Sequence, residues 1–97
     1  MGINNRQETD KIKLFSTFNE AMPGNKWSGR FTPEAGQRVE ITFNGIGAGR
    51  IEGFFTIDGY VGVFVKPDNP PDWWKRQNAE SGRTHCEVFG AEIKPES

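Results

Sequence analysis

A chain of 97 residues is long enough for one domain and too short for two. Twelve basic and thirteen acidic side chains leave a net charge of −1, which excludes the strong basic excess of many nucleic-acid binders. Cys86 is the only cysteine, which excludes an intramolecular disulfide, and no apolar run approaches a membrane span.

Glycine is abundant, leucine occurs only at Leu14, and phenylalanine and tryptophan carry much of the apolar content. That balance suits short strands joined by tight turns, so an all-β domain is expected. A lone thiol fits a reducing cytosol, and Met1–Arg6 lacks the apolar core of a signal peptide, so a soluble cytoplasmic protein is expected.

Residues 1–10 are polar and aperiodic and read as a flexible N-terminal arm; residues 11–97 read as the single domain. Lys11-Ile12-Lys13-Leu14 alternates as an edge strand does, while Thr17-Phe18-Asn19-Glu20 matches a capping box. Residues 11–22 are therefore either a strand or a short helical turn ending near Met22. Trp27 to Gly36 is an irregular connection whose Trp27 and Phe31 should pack onto the domain.

Arg38 to Phe43 alternates cleanly, with Val39, Ile41 and Phe43 on one face. Residues 44–49 read as a glycine-rich turn. Arg50–Ile57 and Tyr60–Lys66 then form a hairpin around Asp58-Gly59, a strong type I′ signal. That turn sets Ile57 opposite Tyr60, Phe55 opposite Gly62 and Gly53 opposite Phe64, each glycine leaving room for a ring. Both faces of this hairpin are largely apolar, as a curved, covered sheet requires.

Asn69-Pro70-Pro71-Asp72 reads as a helix start with Asn69 as cap, and the helix continues through Trp73 to Asn78. Thr84 to Phe89 is the last long strand, with Cys86 and Val88 on one face and His85, Glu87 and Phe89 on the other. A tight turn at Gly90 and a short terminal strand follow. The expected architecture is a small five-stranded SH3-like barrel with a helical insertion before the last long strand, an OB-like barrel being the second choice.

His85 and Cys86 are neighbours, point to opposite faces of a strand and cannot share a metal, so no metal and no cofactor are expected. His85 is the only imidazole, and no partner nucleophile is marked near it, so the chain reads as non-enzymatic. Glu52 is expected on the outer face of the hairpin. Gly45–Gly49 precedes a strand rather than a helix, which speaks against a phosphate loop; a rim contact through backbone N–H groups and Arg50 is the residual reading.

Aromatic and basic residues interleave twice. Lys26-Trp27 lies close to Arg30-Phe31, and Trp73-Trp74 precedes Lys75-Arg76. The candidate ligand-binding residues are Lys26, Trp27, Arg30, Arg50, Tyr60, Trp73, Trp74, Lys75 and Arg76. Single-stranded nucleic acid is the favoured ligand, by base stacking beside cations. A protein-interaction or inhibitor module built on the Trp73/Trp74 helix is the alternative. No membrane partner is expected.

Overall fold

The computed structural model describes residues 12–96. The N-terminal arm expected over residues 1–10 lies outside the described residues. Six strands form one antiparallel sheet: β1 (Lys13–Phe15), β2 (Arg38–Ile41), β3 (Gly47–Ile57), β4 (Tyr60–Pro67), β5 (Cys86–Phe89) and β6 (Ile93–Pro95). Between them lie α1 (Phe18–Ala21), α2 (Asp72–Asn78) and a 3-10 turn at Gly90–Glu92.

The sheet runs β5-β4-β3-β2-β6, with β1 also on β3. The long β3 serves two partners: Gly47–Arg50 pairs with β2, and Phe54–Thr56 pairs with β1. The path ends at β5 and β6, which do not pair with each other, so the sheet is open. The strand count differs from the expected five, because the segment before α1 forms a strand of its own.

Both readings of residues 11–22 hold in sequence, strand first and helix second. Thr17 Oγ1 accepts from the Glu20 N–H at 3.2 Å, and the Thr17 N–H donates to Glu20 Oε1 at 3.2 Å. This reciprocal capping starts α1 at Phe18.

The β3–β4 hairpin has the register that its turn dictates. Asp58 and Gly59 both take positive φ, 53° and 83°, as a type I′ turn requires. Ile57 pairs with Tyr60, Phe55 with Gly62 and Gly53 with Phe64. A second turn of this kind joins β2 to β3, where Asn44 and Gly45 have φ of 55° and 70°. The run 44–49, expected to be one turn, therefore ends as a turn at Gly45, and β3 begins at Gly47. The Asn-Gly pair is itself a hairpin signal; the two further glycines behind it, Gly47 and Gly49, obscured it.

A bulge interrupts the β3–β4 register between Ile51 and Gly53. Strict alternation would put Ile51 on the same face as Phe55. The extra residue, Glu52, reverses the phase, so Ile51 and Phe54 both turn inward and are fully buried. They join Val39, Ile41, Val61, Val63, Val65, Val88 and Ile93 in the core. Each such side chain contributes roughly 1.5–3 kcal/mol on burial.

α2 begins later than its sequence suggests. Its cap is Pro71, which makes no side-chain capping bond. Pro70 precedes Pro71, which disfavours helical backbone at Pro70, so the helix cannot begin directly after Asn69. The two tryptophans of α2 diverge as helix geometry demands: Trp74 is 9% exposed and Trp73 37%. The Trp74 side chain joins the buried cluster that also contains Cys86, which seats α2 on the core side of the sheet.

Two outcomes check this account. Gly59→Val places a β-branched residue at positive φ and should cost about 1–3 kcal/mol, read as a lower thermal midpoint; an unchanged midpoint would refute the turn. Cys86 is 6% exposed, and burial pushes its thiol pKa up. Its labelling by a thiol reagent should be slow in buffer and fast in denaturant, whereas equal rates would mean that β5 is turned over.

Candidate functional site

The face of the sheet opposite the core carries two distinct halves. Around the Asp58-Gly59 end, Leu14 pairs with Phe55, Phe55 with Gly62, and Gly62 with Phe89, forming one row across β1, β3, β4 and β5. Phe55 packs against Phe64 and Phe89, with ring centroids 5.1 and 5.6 Å away. Tyr60 meets Phe89 edge-on at 6.4 Å. Phe55 is only 3% exposed, whereas Tyr60 is 46% and Leu14 70% exposed. This half is a packed aromatic floor with one free phenol ring and one free aliphatic side chain at its margins.

Lys26 belongs to the same surface. Its N–H donates to the Gly59 carbonyl, and its carbonyl accepts from the Val61 N–H, both at 2.8 Å. That parallel bridge sets Lys26 beside Tyr60, an exposed ammonium beside an exposed ring.

The other half is charged. Arg38, Arg50 and Lys66 stand opposite one another on β2, β3 and β4. Arg38 donates to Asp68, and its Nε donates to Glu96 at 2.9 Å. Arg50 Nη2 donates to Glu52 at 2.6 Å. The other oxygen of Glu52 meets His85 Nε2 at 2.7 Å, and His85 Nδ1 meets the Thr84 hydroxyl at 2.8 Å. The bulge that turns Ile51 inward also places Glu52 within reach of both partners.

The nine candidate residues thus fall in three places. Lys26, Arg50 and Tyr60 share the outer face. Trp27 turns away from it: it packs edge-on against Phe18 and Phe31 at 5.5 and 6.0 Å, and its Nε1 donates to the Phe31 carbonyl at 2.7 Å. Arg30 is exposed on the same connection. Trp73, Lys75 and Arg76 are exposed on α2, but Trp74 lies in the core and offers no ligand surface. The rim contact expected at Gly45–Arg50 is not open as imagined, because residues 47–50 pair with β2.

Sequence reasoning missed the aromatic row as a site, although its parts were visible. The hairpin register aligned Phe55 with Gly62, and the phase of the last strand put Phe89 with His85. The pairing of β5 on β4, which joins them, has no local signal. The Glu52–His85 contact spans 33 positions and was equally hidden.

Among the described residues, no group of three or more His, Cys, Asp or Glu side chains is placed to hold a metal ion. No helix among them is long and apolar enough to cross a membrane.

The hydrogen bond from His85, followed by that from Arg50, holds the Glu52 carboxyl well below its ordinary 4.5, at about 2. A carboxylate depressed in the folded state stabilises the fold above its ordinary pKa, and that contribution is lost as pH falls through about 2. A carbon-detected NMR titration should place the Glu52 midpoint near 2. His85→Ala should raise it more than Arg50→Ala does. A parent midpoint near 4.5 would show that the network does not form.

Comparison of the chain with protein-family models, with curated proteins and with solved structures finds no match.

Proposed function

We propose that this protein is a non-enzymatic binding module that takes single-stranded nucleic acid on the outer face of its sheet. The observation that carries this reading is Tyr60, an exposed ring beside the exposed Lys26, at the edge of the Phe55–Phe64–Phe89 floor. Bases stack on such rings whatever their identity, while a neighbouring cation takes the phosphate. The floor holds Tyr60 by edge contact with Phe89, so the ring is ordered before any ligand arrives.

The non-enzymatic part of the reading is supported by the setting of His85: the one hydroxyl it meets, Thr84, is its own exposed chain neighbour, and the contact lies in an open depression of the surface rather than in an enclosed pocket. As architecture we favour an SH3-like barrel left open between its last two strands and extended by β1. In support, β5 passes through the 3-10 turn straight into β6, which returns to pair with β2. The buried thiol Cys86 agrees with a reducing compartment, and we place the protein in the cytoplasm.

A protein ligand is the second reading, favoured by Leu14, an exposed aliphatic side chain in register with Phe55 on the same face. Fluorescence anisotropy with a short labelled oligonucleotide separates the two. Binding should appear at low salt and weaken as salt rises. Tyr60→Ala, in a variant that melts like the parent, should cost about 1–3 kcal/mol of affinity. Absence of binding at low salt would end the nucleic-acid reading and leave Leu14 and Tyr60 as the residues to probe with protein partners.

A further inference from the structure

Arg38, Arg50 and Lys66 form a row of exposed cations in direct register across three neighbouring strands. Like charges directly opposite on a sheet repel and destabilise it. Carboxylates compensate part of the row. Arg38 donates from Nε, Nη1 and Nη2 to Glu96 and Asp68, so each nitrogen of its guanidinium has a carboxylate partner. Arg50 uses Nε and Nη2 on Glu52. Its Nη1 has no partner among the described residues. Lys66 has no carboxylate within ion-pair distance among the described residues. The row therefore ends on an uncompensated charge. These three cations, with Pro67 and Asp68, wall an open depression of about 260 Å³.

We propose that this depression is a subsite for one phosphodiester group, contacted by the Lys66 ammonium and the free Nη1 of Arg50. The assignment rests on the nucleic-acid reading above and extends it along β4. Lys66, Phe64, Gly62 and Tyr60 alternate on one face of that strand, so the depression lies about 20 Å from the Tyr60 ring. A strand stacked at Tyr60 can run along β4 and set its backbone at Lys66. The charge matches a phosphodiester in particular: one negative charge meets one uncompensated cation. Asp68, kept ionised by its bonds to Arg38, opposes the second charge of a phosphate monoester. Arg38 is the fixed wall of the subsite and not a contact.

The test is the salt dependence of binding to a single-stranded oligothymidylate, measured on parent and variants. Lys66→Ala should weaken binding and reduce the slope of log affinity against log salt by about 0.7, the value for one phosphate contact on a single strand. Tyr60→Ala should weaken binding with the slope unchanged. Glu52→Gln releases Arg50 and should strengthen binding and steepen the slope, the reverse of what simple damage to the fold would do. If oligonucleotide binding persists and Lys66→Ala leaves the slope unaltered, the subsite is overturned and the nucleic-acid reading stands. If the parent binds no oligonucleotide, that reading falls, and the subsite is judged by NMR titration with dimethyl phosphate and inorganic phosphate. Shifts at Lys66 and Arg50 with dimethyl phosphate would support it; their absence would overturn it.

Discussion

The ring of Phe55 occupies the space that a side chain on Gly62 would need: a Cβ there would lie 2.2 Å from Phe55 Cζ. A glycine in mid-strand weakens a sheet by itself, since it packs nothing and loses more entropy on ordering. Here the partner strand fills the gap. The fit admits only one alignment of β3 with β4, and the Asp58-Gly59 turn selects the same one. Two independent devices thus fix one register. A slip by one residue would turn Val61, Val63 and Val65 out to solvent and bring the phenylalanines in. The rest of the molecule is hung on this pair: β1 and β2 share one edge of β3, and β5 reads its register from β4.

The bulge at Glu52 connects that framework to the charged half of the outer face. Without it, the β3 residues that precede Phe54 would present the wrong side to the core. With it, Ile51 and Phe54 are both buried, and Glu52 sits where Arg50 and His85 converge. The same irregularity serves packing on one side and electrostatics on the other. The ion pairs themselves are exposed, and their contribution to stability is small. Their larger effect is to decide which cations remain available: Arg38 is paired with two carboxylates and Arg50 with one, while Lys66 has none among the described residues.

Local chemistry made much of the fold legible in the sequence. The Asp58-Gly59 hairpin, the Thr17 capping box, the divergence of Trp73 from Trp74 and the inward face of Cys86 and Val88 each follow from residues near one another in the chain. What was not legible depends on distant pairing. Nothing near Phe89 announces Gly62, and nothing near His85 announces Glu52. The expectation of a small barrel, closed or nearly so, came from counting apolar faces; the sheet stays open because β5 and β6 do not pair with each other. The candidate site was visible as a composition, aromatic beside basic, but not as a surface. Trp74 satisfied that composition and lies in the core, while Phe89 was outside the proposed set and stands on the outer face.

Exposure divides the aromatic half into residues that build the face and residues that can act from it. Phe55 is nearly covered and sits over Gly62, so its removal would open a cavity and loosen the register on which every other strand depends. Tyr60 is held by a single ring contact and keeps close to half of its surface in solvent. A ligand gains most from a ring that is ordered yet uncovered, and the fold loses least when such a ring is changed. Tyr60 meets both conditions, as Lys66 does among the cations, and both lie on β4, the strand whose register is the most firmly fixed. The exposed side chains that the core does not need are thereby carried on the backbone it needs most.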